Sequence, residues 1–136
     1  MFSHETSIRV RYAETDQMGV VYHANFFQYF EVSRVEAIRS VGLSYAQIEQ
    51  MGIIMPIVEV QARFLAPALY DDLLFVKTTL GELPAQSRIE FLQEVRNDKG
   101  QLLVTGKVVL YFLDRASKQR VPMPGELRER LQRYFE

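Results

Sequence analysis

The sequence predicts an α+β fold in which one antiparallel sheet of five strands wraps around one long apolar helix. Phe26, Phe27, Phe30, Ala37, Ile38 and Val41 recur at helical spacing, and the apolar face they make is too wide to leave in water. Segments that alternate apolar and polar residues follow, and the short turns between them favour antiparallel pairing. The order is strand, long helix, short helix, four strands and a final helix.

Ser7 to Tyr12 alternates, with Ile8, Val10 and Tyr12 opposite Arg9 and Arg11, which suits a half-buried strand. The long helix runs from Phe26 to Val41, and Gly42 supplies its stop. Ser44 and Gln47 have capping-box spacing, so a short helix is expected to about Met51, before Gly52. In Val58 to Phe64 the apolar Val58, Val60, Ala62 and Phe64 alternate with Glu59, Gln61 and Arg63. Leu73 to Leu83 and Ser87 to Arg96 are divided by Pro84-Ala85-Gln86, and Asn97-Asp98-Lys99-Gly100 is a hairpin signal before Gln101 to Leu113. After Pro122 and Pro124, Glu126 to Phe135 reads as an amphipathic helix that packs Leu127, Leu131 and Phe135 inward.

Composition narrows the classes of function. A chain of this length suits one domain spanning residues 1–136, able to bury roughly 68% of its unfolded surface. A formal charge of −1 gives no excess to recruit nucleic acid or an anionic membrane. The absence of cysteine removes disulfides, thiol nucleophiles and thiolate metal sites. His4 and His23 have no further ligands at metal spacing. The N-terminal segment carries charges where a signal peptide needs an apolar core, and the most apolar run, Gly52 to Val58, is too short to span a bilayer. The expectation is a soluble, cytoplasmic protein.

The chemistry concentrates in ETDQMGVVYHANFF, Glu14 to Phe27. The first turn of a helix presents N–H groups without intrahelical partners, at the positive end of the macrodipole. If residues 17–22 fold back so that Asp16 faces the mouth of the long helix, a carboxylate and an oxyanion donor share one site. That pair suffices to hydrolyse an activated acyl group, with the carboxylate attacking directly or deprotonating a water. A thioester suits it better than an amide, because a thiolate departs without a dedicated acid. Local rules also make Asn25 a good N-cap with Gln28 as its capping-box partner, which would start the helix after the donor.

The run Tyr12-Ala-Glu-Thr-Asp16-Gln-Met-Gly19-Val-Val-Tyr-His23-Ala-Asn25-Phe-Phe, continuing to Tyr29-Phe30-Glu31 and Arg34, resembles the signature of the 4-hydroxybenzoyl-CoA thioesterase family of hotdog-fold proteins, above all its bacterial acyl-CoA thioesterases. Phe64-Leu-Ala-Pro67, Tyr70-Asp71-Asp72, the Gly100 hairpin and Val121-Pro-Met-Pro124 fall in the family's order. The resemblance implies an acyl- or aryl-CoA thioesterase with no cofactor beyond the CoA of its substrate. It implies a homo-oligomer, a dimer or a dimer of dimers, paired through sheet edges with its sites between subunits. Asp16 then stands at the catalytic acid, as nucleophile or general base, and the backbone N–H of His23 polarises the thioester carbonyl. Tyr22 and Asn25 are the candidate substrate contacts, and Arg63, Arg88, Lys118 and Arg120 candidate partners for CoA phosphates. The competing reading is a non-catalytic hotdog module that binds acyl-CoA or an acyl-carrier protein. Retention of the acid favours hydrolysis.

Overall fold

A computed structural model describes residues 1–136. The chain forms β1 (Phe2–Arg9), a 3-10 turn (Tyr12–Glu14), α1 (Asn25–Ser40), α2 (Tyr45–Gln50), β2 (Ile53–Ile54) and β3 (Ile57–Phe64). It continues through β4 (Leu73–Leu80), β5 (Arg88–Arg96), β6 (Leu102–Tyr111), β7 (Leu113–Asp114), α3 (Gly125–Gln132) and a closing 3-10 turn (Arg133–Phe135). Five strands pair antiparallel in the order β1-β4-β5-β6-β3, and β2 pairs with β7 in a separate two-stranded ribbon. One face of α1 packs on the sheet, the arrangement that the hotdog resemblance implies, while Phe27 and Val32 on its other face are exposed.

Burial of α1 explains this arrangement. Phe26, Tyr29, Phe30, Ala37 and Ile38 point into a core completed by Leu74, Val76, Ile89, Phe91, Val104 and Val108 of the sheet. Phe30 is fully buried, and the sheet makes room for its ring with Gly106, the residue of β6 paired with both Ala62 and Gln93. A β-carbon at Gly106 would lie 2.5 Å from two atoms of that ring. Buried polar groups fix the helix in register. The Ser33 hydroxyl donates to Val76 O (3.1 Å) and lies 2.6 Å from Thr78 Oγ1. Gln93 Nε2 donates to Phe30 O and Thr78 Oγ1 (both 2.9 Å), and Gln93 Oε1 accepts from Arg34 Nη1 (3.2 Å).

Several local readings hold. Ser44 Oγ accepts from Gln47 N (3.1 Å) and Gln47 Oε1 from Ser44 N (2.8 Å), so the capping box starts α2. The Asn97 carboxamide oxygen accepts from Lys99 N and Gln101 N (both 3.0 Å), closing the β5–β6 hairpin. Leu127 and Leu131 of α3 enter the core, with Phe135 packed against it.

Three expectations need correction. β1 starts at Phe2 and ends at Arg9, earlier than Ser7 to Tyr12, because its inward face carries the polar His4 and Thr6 between Phe2 and Ile8 and therefore lacks an apolar alternation. The apolar side of β3 is largely uncovered: Val58, Val60 and Phe64 are exposed, because β3 is an edge strand that α1 meets at its end, through Phe26 and Phe64. Asn25 is not a cap with Gln28. It is the first residue of α1, and its side chain donates to Glu14 O (2.8 Å).

No helix is long and apolar enough to cross a membrane.

Candidate active site

After the 3-10 turn the chain forms a tight loop. Asp16 N donates to Val20 O (2.8 Å) and Gly19 N to Asp16 O (3.0 Å). Gly19 sits at φ +80°, in the left-handed region that favours glycine. Asp16 Oδ1 accepts from Met18 N at 2.8 Å and Val20 N at 3.4 Å. One carboxylate oxygen is thus pinned by the loop, and Oδ2 has no protein donor. Val21 N then donates to Ala68 O (2.8 Å) and Val20 pairs with Leu69, which lays the returning strand of the loop on the segment after β3.

The loop leads directly into α1. Asn25 N donates to Tyr22 O (2.9 Å), Phe26 N to His23 O and Phe27 N to Ala24 O (both 3.2 Å), so a tighter i→i−3 turn extends the helix backwards to Tyr22. The N–H groups of His23 and Ala24 therefore lie in the first turn, and neither has an acceptor within the protein. The helix macrodipole adds positive potential there.

Asp16 and His23 line one open depression of about 360 Å³, with Met18, Val20, Val21, Phe26 and the run Phe64 to Pro67. Seven of its ten lining residues are hydrophobic, which suits an acyl group beside a carboxylate. The His23 ring packs edge-on to Phe64 (centroids 6.1 Å apart), and Phe64 also meets Phe26 (5.8 Å). A larger hollow of about 580 Å³ crosses β3, β4, β5 and β6, but neither Asp16 nor the start of α1 reaches it.

The remaining candidates fall elsewhere. Tyr22 packs against His23 with centroids 4.4 Å apart, is 48% exposed and does not line the depression. Asn25 is spent on Glu14 O and does not line it either. Arg88 pairs with Glu90, Arg120 lies over the Tyr111 ring and donates to Ser87 Oγ, and Lys118 donates to Arg115 O. Arg63 lines the larger hollow.

Sequence reasoning missed two features. Phe64 to Pro67 lies 48 to 51 positions from Asp16, and the pairing of Val20 and Val21 with Ala68 and Leu69 brings it to the site. The second is Glu14, 8% exposed. Its Oε1 accepts from Arg11 N (2.8 Å) and from the Tyr29 hydroxyl (2.9 Å), and its Oε2 from Arg11 Nε and Nη2 (both 3.2 Å). A visible signal was the three-residue spacing from Arg11 to Glu14 at the end of an alternating segment, which matches a side chain returning to a backbone N–H.

Burial alone would raise the Glu14 pKa, but the bonds from Arg11 N, Tyr29 and the Arg11 guanidinium outweigh it and leave the carboxyl below its ordinary value of 4.5. Burial and the adjoining carboxylate push the Tyr29 hydroxyl up, so it remains a donor. A carboxyl with a lowered folded pKa contributes stability above its unfolded value, and that contribution is lost as the pH falls through the folded value. Thermal melts of the parent and Glu14→Gln are therefore expected to differ most above pH 4.5 and to converge below it. A constant gap across that range would show that the charge of Glu14 carries none of the difference.

With this geometry in place, the likenesses to known proteins take on meaning. Residues 10–131 match the Thioesterase-like superfamily. The 1,4-dihydroxy-2-naphthoyl-CoA hydrolase of Thermosynechococcus vestitus is 32% identical over 119 residues, covering 87% of this chain and 81% of that protein. YneP of Bacillus subtilis (strain 168) is 40% identical over 78 residues, a match that spans 57% of this chain and 56% of that relative. The crystal structure of the DHNA-CoA thioesterase from Staphylococcus aureus superposes with a TM-score of 0.92 at 31% identity, covering 99% of this chain and 92% of that one. The family match spans the acid, the helix mouth and the whole sheet except β1, and on that extent the chain belongs to the thioesterase-like superfamily.

Proposed function

We propose that this chain hydrolyses acyl-CoA thioesters in the depression beside Asp16. Asp16 attacks the thioester carbonyl carbon or deprotonates the water that does, and the N–H of His23 stabilises the oxygen that gains charge. Water adds to the acyl carbon, the carbon–sulfur bond breaks, and free acid and CoA thiol leave. One observation carries this reading: a carboxylate with one oxygen pinned and the other without a protein donor shares a mostly apolar hollow with the start of α1, where two N–H groups have no acceptor. Helix starts suit developing negative charge, and a pure binder gains nothing evident from a carboxylate beside the ester. The names of the Thermosynechococcus and Staphylococcus proteins, both CoA-ester hydrolases, support the same substrate class.

The reading includes a homo-oligomer. β3 is an edge strand of eight residues with Ile57, Val58, Val60 and Phe64 exposed, and a second copy paired along it would cover them. Phe64 belongs to both that strand and the depression, so the partner would stand beside the site. One domain over residues 1–136, a cytoplasmic location and no cofactor beyond the substrate's CoA complete the proposal.

The test is release of free thiol from short, medium, long and aromatic acyl-CoAs by a preparation whose mass in solution is measured alongside. Turnover on at least one class by a dimer or larger particle is expected. Tight binding of every ester without turnover would move the chain to the binding-module reading, and a monomer with full activity would remove the oligomer from the proposal.

A further inference from the structure

We infer that Glu14 is a positioning residue for this hydrolysis, holding the Asp16 loop and the start of α1 at a fixed separation; the inference rests on the proposed role of Asp16. The two proposed reacting groups come from opposite ends of the loop. Asp16 lies two residues after Glu14, and His23 follows Tyr22, whose N–H donates to Glu14 O at 2.9 Å. The same carbonyl accepts from Asn25 Nδ2 at 2.8 Å, in the first turn of α1. The carboxylate binds in the other direction, to Arg11 before the 3-10 turn and to Tyr29 one helical turn beyond Asn25. One residue therefore joins the chain before the loop, the chain after it and two successive turns of the helix.

The chemistry of the residue argues that this is more than packing. A mostly buried carboxylate is costly unless every lone pair finds a donor, and an apolar side chain of similar size would fill the space without that cost. Directional bonds do what apolar contact does not: they set angles and distances at both ends of the loop. Such precision matters because a displacement of about 1 Å in a reacting group costs on the order of 10²-fold in rate. Glu14 itself takes no part in bond making, because it does not line the depression and its carboxylate is engaged by Arg11 and Tyr29.

The experiment compares Glu14→Gln and Tyr29→Phe with the parent in thiol release and thermal melting, and repeats Glu14→Gln in an Asp16→Asn background. Glu14→Gln is expected to lower kcat by roughly 10- to 100-fold with KM little changed, since the acyl hollow stays intact. Tyr29→Phe, which removes one bond to the same carboxylate, is expected to lower kcat several-fold while remaining folded, and serves if the glutamine variant does not fold. In the Asp16→Asn background the Glu14 substitution is expected to add almost nothing, because a group that acts through Asp16 has nothing left to position. Equal fold-losses in both backgrounds would overturn the inference in favour of general stability. Unchanged kcat in folded Glu14→Gln or, where that variant does not fold, in Tyr29→Phe, beside an inactive Asp16→Asn, would overturn it alone. Full turnover by Asp16→Asn would overturn the proposed role of Asp16, and this inference with it, while leaving the hydrolysis in place.

Discussion

Asp16→Asn is expected to lower kcat for thioester hydrolysis by roughly 10²-fold or more while the protein stays folded. The substitution is close to a pure removal of charge. The asparagine oxygen can still accept from Met18 N and Val20 N, so the loop closed by Gly19 keeps its internal bonds. What is lost is the second carboxylate oxygen, the one without a protein donor, and with it the proposed nucleophile or base. KM is expected to change little, because the hollow lined by Phe26, Phe64 and Pro67 is untouched. Free-thiol release at saturating ester, with a melting curve on the same sample, reads both quantities. A folded variant with the parent's kcat would sink the assignment of Asp16 and leave the His23 region to be explained without it.

The largest effect on stability is expected at Gly106. Replacing glycine with alanine in a strand usually gains about 0.5–1 kcal/mol, because the unfolded chain has less freedom to lose. Here the added carbon meets Phe30 at 2.5 Å, and that ring is fully buried between α1 and the sheet. Overpacking of this kind costs about 1–3 kcal/mol or more, so steric strain outweighs the entropic gain. Gly106→Ala is expected to lower Tm by roughly 5–10 °C, or to prevent folding. Combining it with Phe30→Leu is the informative control, since a smaller side chain opposite the new methyl should recover part of the loss. Additive losses in the double variant would mean that the ring contact is not the cause.

The parts of the molecule that were legible in the sequence are those governed by near neighbours. The capping box at Ser44, the Asn97 hairpin and the apolar face of α1 all depend on residues within a few positions of one another. What escaped depends on distant pairing. β1 hides behind His4 and Thr6, which face inward only because Phe2–Arg9 lies along β4. β3 alternates as a half-buried strand should, yet alternation does not say whether anything covers the apolar side. Asn25 satisfied every local rule for a cap, and the structure uses it otherwise because Glu14 O lies within its reach. At the site, Asp16 and His23 were placed together by motif and helix physics, whereas Glu14 and Phe64 needed the folded loop to reveal them.

The mouth of α1 shows what the proposed site forgoes. The backward extension of the helix puts Tyr22 where a capping residue would stand, and a tyrosine side chain at that point does not accept from the first-turn N–H groups as serine or aspartate does. An ordinary cap is worth about 0.5–2 kcal/mol. Gaining it would seat an oxygen of the protein's own on the second or third N–H of that turn, beside the His23 N–H that the proposed chemistry lends to the substrate. The chain thus leaves its longest helix without the stability that a cap would add, and the unclaimed hydrogen-bonding capacity at that end is what the proposed chemistry draws on.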